Sequence, residues 1–166
     1  MQILKRFLVC SIVAIITCGI AITGVQAGAY GYISEYSSNF TASGSITAVS
    51  PCNSTCKYGN AKQATQNNGA TGFWNTGQDG VVTWDVWIPD PVPGATYAAV
   101  RYYVYSDLDD FNVPVNQNNW KNSYVYLGNL NWYGTWGQVV LPSSCLPGYT
   151  CSGLKVYYDL VRYWYN

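Results

Sequence analysis

Between Val81 and Ser106 the chain reads VVTWDVWIPDPVPGATYAAVRYYVYS, and no other stretch restricts the fold as much. In Val81–Ile88 the residues alternate: Val82, Trp84, Val86 and Ile88 fall on one side, Val81, Thr83, Asp85 and Trp87 on the other. A period of two marks a strand whose faces meet different surroundings. Asp90-Pro91-Val92-Pro93-Gly94 then ends it, because proline has no N–H for a ladder and glycine enters turns at little cost. Thr96–Tyr105, rich in Tyr, Val and Ala, is long enough to cross a sheet. The stretch therefore reads as two strands joined by a proline–glycine turn.

Further strands are expected at Gly28–Tyr36, Ser45–Val49, Val113–Gln117, Tyr124–Leu127, Trp136–Leu141 and Leu154–Tyr165. Turn residues separate them, and nothing beyond residue 27 carries a helical apolar period. The fold class that follows is all-β, an antiparallel sandwich or barrel. Residues 28–166 suit one domain with one core.

Residues 1–27 read as a secretory signal peptide. Lys5 and Arg6 form the basic start, Phe7–Ile22 is apolar, and Val25-Gln26-Ala27 offers small residues for cleavage after Ala27. No second hydrophobic segment follows, so a secreted, extracellular protein with no membrane span after cleavage is expected. Cys52, Cys56, Cys145 and Cys151 lie beyond the leader, an even number in an exported chain. Short separation favours the local pairs Cys52–Cys56 and Cys145–Cys151 over the other two connectivities.

The chain has no histidine, which removes histidine triads, imidazole metal sites and the usual near-neutral acid–base group. Beyond the leader, Asp and Glu outnumber Lys and Arg, so a nucleic-acid partner is not expected.

One ordered set of short motifs carries a family resemblance. It runs from Trp84 through the proline turn to Gly94-x-x-Tyr97, then Val115-Asn116-Gln117, Trp120, Tyr126-Leu127-Gly128, Val139-Val140-Leu141 and Asp159-Leu160-Val161-Arg162-Tyr163. Over roughly Phe73 to Trp164 the chain resembles the golvesin C-terminal-like domain, also seen beside xanthan lyase catalytic domains. The resemblance implies a jelly-roll-like sandwich that accompanies carbohydrate-active or peptidase domains, and it brings no catalytic residues.

Candidate ligand-binding residues are Trp120, Trp132, Tyr133 and Trp136, with Gln117 and Asn131 among the amides around them. Flat aromatic faces stack on sugar C–H surfaces, and amides suit hydroxyls. Trp84, Tyr97 and Tyr102 are expected in the core. The loop Asp107-Leu108-Asp109-Asp110-Phe111-Asn112 offers Asp107, Asp109, Asp110 and Asn112 as oxygen ligands for calcium, the one cofactor considered. Its spacing departs from an EF-hand loop.

A glycosidase would need two placed carboxylates, and Glu35 is the only glutamate. Asp159 and Arg162, three apart on one strand, should point to opposite faces, with Arg101 as a partner for Asp159. The function expected is a non-catalytic binding module for a polysaccharide or cell-envelope glycan. The alternative is an extracellular structural or protein-interaction protein with a protein partner, an adhesive or coat component.

Overall fold

A computed structural model describes residues 30–49, 52, 54–76, 80–107, 109–132 and 137–165. The leader expected at 1–27 lies outside the described residues. In chain order the strands are β1 (Tyr30–Ser34), β2 (Phe40–Ser43), β3 (Thr47–Val49), β4 (Ala61–Thr65), β5 (Thr71–Thr76) and β6 (Gly80–Ile88). They continue with β7 (Ala99–Ser106), β8 (Asp110–Asn116), β9 (Ser123–Trp132), β10 (Gly137–Pro142), β11 (Lys155–Tyr158) and β12 (Leu160–Tyr165).

The strands form a four-stranded sheet ordered β1-β12-β6-β9, a five-stranded sheet ordered β2-β5-β10-β7-β8, and a small sheet ordered β11-β4-β3. Each of these strands pairs antiparallel with its neighbours. Residues of all three sheets meet in one apolar cluster, so the expected antiparallel β-sandwich is the observed fold.

Alternation sets the layers. Ile33, Val161, Val86 and Val125 lie opposite one another across β1, β12, β6 and β9, and all four are buried. From the five-stranded sheet, Trp74, Val139, Val104 and Tyr102 enter the same core. Each buried apolar side chain of this size contributes about 1.5–3 kcal/mol relative to exposure. Trp84, Tyr97 and Tyr102 are buried as expected.

Large rings on the two central strands are accommodated by glycines on the outer ones. Trp84 and Tyr163 pack with centroids 5.5 Å apart. Their register neighbours are Gly31 on β1 and Gly128 on β9. A Cβ on Gly31 would fall inside the Tyr163 ring.

Several sequence expectations change. β6 and β7 are not a hairpin: the Asp90–Gly94 turn carries the chain from the four-stranded to the five-stranded sheet. The polar segment before Asn68 contains β2, β3 and β4 rather than one short strand. The last expected strand is two strands in two sheets, divided at Asp159. The loop expected at 107–112 already belongs to β8 from Asp110 onward. Both local cysteine pairs are bonded, with Cα–Cα separations of 5.9 and 6.0 Å.

Candidate functional site

The row one step from the buried valines reads Tyr32, Arg162, Asp85 and Tyr126, again across all four strands. Directly paired residues on an antiparallel sheet share a face. This row therefore lies on the outside of the sandwich, and Tyr32 and Tyr126 are 49% and 58% exposed. Its ends are three strand spacings apart, roughly 14 Å at about 4.8 Å per spacing. Neighbouring outward positions add the pair Trp87–Tyr124 and the run Trp164, Thr83 and Asn129.

The face is wired by charge and rings. Arg162 Nη2 donates to Asp85 Oδ2, the single ion pair among the described residues. The Arg162 guanidinium stands 3.9 Å from the Tyr124 ring centroid and 5.0 Å from that of Trp164. Trp87 meets Tyr124 edge-on at 4.9 Å. Lys57 Nζ sits 3.9 Å over Trp87. Cation–π contacts contribute about 0.5–1 kcal/mol each where exposed and more where desolvated.

A bulge makes this surface continuous. The β6–β9 register shifts between Trp84 and Asp85, so Tyr126 opposes Asp85, Gly128 opposes Trp84, and Leu127 is the extra residue. Leu127 turns into the core. Gly128 has φ +142, a region side chains disfavour, and a Cβ there would meet the Phe111 ring. Beyond the bulge, Thr83 Oγ1 donates to Asn129 Oδ1 at 2.5 Å. Were the strand regular from Tyr126 onward, with Leu127 paired, Asn129 would turn inward.

The Cys52–Cys56 loop is pinned to the same face. Trp87 Nε1 donates to the Thr55 carbonyl at 2.6 Å, and the Asp90 N–H donates to Thr55 Oγ1 at 2.8 Å. The Lys57 N–H donates to Asp159 Oδ2 at 3.0 Å. Glu35 and Asp159 are both buried here, and Glu35 Oε2 and Asp159 Oδ1 have no hydrogen-bond partner. Burial pushes Glu35 up to about 7. Burial, with the neighbouring Glu35, pushes Asp159 up to about 8. Buried this deeply, neither carboxylate can reach a polymer in solvent. The partner of Asp159 is this backbone N–H rather than Arg101, and Arg162 pairs with Asp85 on the outer face.

The sequence-expected ligand residues do not converge. Trp120 is 47% exposed in the turn before β9, whereas Asn131 and Trp132 end that strand. The ten residues of β9 separate the two groups by about 30 Å at about 3.3 Å per residue. Tyr133 and Trp136 lie outside the described residues.

Gln117 is a correction. It is fully buried; its Nε2 donates to Tyr102 Oη and the Tyr157 carbonyl, and its Oε1 accepts from the Tyr157 N–H, all at 3.0 Å. An amide engaged on both sides ties the core together and has nothing to offer a ligand. Asp107, Asp109, Asp110 and Asn112 are exposed. No group of three or more His, Cys, Asp or Glu that could hold a metal occurs among the described residues.

What sequence reasoning missed is the outer face itself. Its signals were present as Tyr32 in GYI, as the Trp87–Asp85 side of the first alternation, and as a glycine inside a strand.

The molecule thus belongs to the class of antiparallel β-sandwiches with an aromatic, cation-bearing outer sheet face. Among solved structures it is similar to part of Paenibacillus xanthan lyase, with a TM-score of 0.68 and 11% identity over 82% of this chain. It spans 13% of that lyase chain, and at this identity the likeness is one of fold. Looser matches include the Phanerochaete chrysosporium exo-β-1,3-galactanase Pc1,3Gal43A, with a TM-score of 0.46 and 15% identity over 82% of this chain and 29% of that one. Another is TmCBM61 in complex with β-1,4-galactotriose, with a TM-score of 0.41 and 12% identity over 75% of this chain and 88% of that one. No family model matches the sequence, and no curated protein matches it. The expected likeness to a sandwich from xanthan lyase holds at the level of fold; these structures do not bear on its golvesin side. Among the described residues no helix is long and apolar enough to cross a membrane.

Proposed function

We propose that this protein is a secreted, non-catalytic module that binds a carbohydrate or cell-envelope polymer on the outer face of its four-stranded sheet. The observation that carries this reading is the row Tyr32–Arg162–Asp85–Tyr126, with Trp87, Tyr124 and Trp164 beside it. Rings lying over a strand-wide surface stack on sugar C–H faces, and interspersed polar groups hydrogen-bond hydroxyls. Two disulfides suit an oxidising compartment. The non-catalytic reading is supported by the burial of Glu35 and Asp159 and by the pairing of Asp85 with Arg162. The ordered motifs Gly94-x-x-Tyr97 to Asp159-x-x-Arg162 keep the golvesin-like assignment within this proposal.

A second reading is an extracellular adhesive or coat protein. It is favoured by Tyr36 and Tyr149, exposed by 52% and 54% on turns that a single sugar platform would not use. Retention of residues 28–166 on a panel of soluble and insoluble polysaccharides separates the two. Binding to a glycan that is lost in Tyr32→Ala/Tyr126→Ala, with unchanged thermal unfolding, supports the module. Retention on no glycan overturns it in favour of a protein partner.

A further inference from the structure

We propose that the outer face selects anionic sugars, with Lys57 as the residue that receives the sugar carboxylate; this rests on the binding reading above. The face carries two cations and one outward acid. Arg162 is held by Asp85, so those two charges cancel. The Lys57 ammonium is not in an ion pair: the pair Arg162–Asp85 is the only one among the described residues. It stands over Trp87 at 3.9 Å and within 5.4 Å of the Tyr124 centroid. The surface a sugar ring would cover is therefore locally positive. Beyond the leader the chain as a whole carries more acid than base. A cationic spot on such a background belongs to the site rather than to a general attraction for anions.

The backbone that carries the ammonium is held in place before any ligand arrives. The Lys57 N–H donates to Asp159 Oδ2 at 3.0 Å, and the preceding residues are closed by the Cys52–Cys56 bond. The adjoining Thr55 takes hydrogen bonds from Trp87 Nε1 and from the Asp90 N–H. A charged group fixed beforehand loses less freedom on binding than one at the end of a mobile loop. One face of the ammonium rests on the indole, which leaves N–H donors for an acceptor placed over the rings. A neutral hydroxyl there forms an ordinary hydrogen bond. A uronate or other sugar-borne carboxylate forms a charge-assisted one, which is roughly twice as strong. Of the nearby acids, burial favours the neutral forms of Glu35 and Asp159, and Asp90 Oδ1 is engaged with Tyr97 Oη.

The test compares polygalacturonate with the same polymer after its carboxyls are reduced to alcohols, using the wild-type protein, Lys57→Met and Lys57→Arg. Both substitutions leave the backbone N–H to Asp159 in place, and thermal unfolding confirms that each variant is folded. The expected result is at least tenfold tighter binding to the acidic polymer than to its reduced form, weakening as NaCl is raised. Lys57→Met should lose about tenfold on the acidic polymer alone, and Lys57→Arg should keep most of the affinity. Equal binding of the two polymers, or an unchanged Lys57→Met, overturns the charge selection while the binding module stands. Retention on neutral glycans only has the same meaning. Retention on no glycan overturns this proposal together with the binding reading.

Discussion

On the outside of the four-stranded sheet, Tyr32, Arg162, Asp85 and Tyr126 lie in one row; on the outside of the five-stranded sheet the matching row is Thr41, Phe73, Val140, Tyr103 and Asn112. Both rows mix aromatic and polar residues. On the second face the polar groups bind each other: Gln138 Nε2 donates to Asn75 Oδ1 at 2.6 Å. Its tyrosines stack, Tyr103 on Tyr105, with centroids 6.1 Å apart and planes 3° from parallel, and both are half-buried. On the first face the charges fasten the rings in place while Tyr32 and Tyr126 stay open. The difference shows that aromatic content alone does not make a binding face. What matters is whether rings and donors are left unspent once the sheet has satisfied itself.

The charged side should dominate the response to pH, and this is the largest effect expected. Glu35 rises from 4.5 to about 7 and Asp159 from 3.8 to about 8 on folding. Between about pH 4 and about pH 8 the folded protein therefore holds protons that the unfolded chain has released. The contribution to stability is complete below about pH 4, declines as pH rises, and is gone once both folded pKa values are passed. Thermal unfolding across this range should show Tm falling by several degrees or more. Glu35→Gln/Asp159→Asn should flatten the curve, and the Asn can still accept from the Lys57 N–H. A wild-type Tm that rises steadily over the same window contradicts the buried pair.

Removing one member of the outer ion pair comes next. Arg162→Met leaves Asp85, 4% exposed, without its counter-charge. An uncompensated buried charge costs about 3–5 kcal/mol, and the partial exposure of Arg162 places the expectation at the lower end. Gln138→Ala on the opposite face breaks a neutral hydrogen bond and should cost only about 1 kcal/mol. Denaturant unfolding of the two variants side by side measures the gap. Equal losses would mean that charge does not distinguish the faces.

Binding itself should divide the same way with a smaller free energy. Truncating the two open rings in Tyr32→Ala/Tyr126→Ala should remove about 2 kcal/mol or roughly 30-fold in affinity, the scale of a hot spot. Tyr103→Ala/Tyr105→Ala should change affinity by less than about twofold. Affinity electrophoresis in a retained polysaccharide reads both, and the reverse outcome would move the site to the five-stranded sheet.

Sequence alone carried the layers of this fold because period two needs only one chain: Trp84, Val86 and Ile88 turn inward as the alternation says. It did not carry which strands pair. Nothing local shows that Asp90–Gly94 crosses between sheets, or that the run ending in Tyr165 breaks at Asp159 into two sheets. The site was harder still. Tyr32, Arg162, Asp85 and Tyr126 come from four separate strands and meet only through register, which one sequence does not reveal. Gln117 misled for the opposite reason: an amide in polar sequence looks like a ligand contact, yet burial made it a core tie.

The smallest effect concerns the end of the sandwich that the C-terminal end of β9, with Asn131 and Trp132, shares with the start of β8. Gly137 lies opposite both Thr76 and Ser106, and Gly80 lies opposite Trp132, so Asp107, Asp109 and Asp110 share that end with the end of β9. The loop is closed by its own groups. Ser106 Oγ accepts from the Asp109 N–H at 3.0 Å and donates to the Asp109 carbonyl at 2.8 Å, and Asp109 Oδ1 accepts from the Asp110 N–H at 2.9 Å. With the Asp109 carboxylate used as a turn acceptor and Asp107 and Asp110 exposed to water, the loop holds a cation weakly, because calcium needs six to eight oxygens drawn inward at once. A chelator should therefore change neither Tm nor glycan retention beyond experimental scatter, and Asp109→Asn/Asp110→Asn should bind as the wild type does. Loss of retention with chelator, reproduced by that double variant, would shift the site from the open sheet face to this end. Trp132, which ends β9, would then become the residue to truncate first.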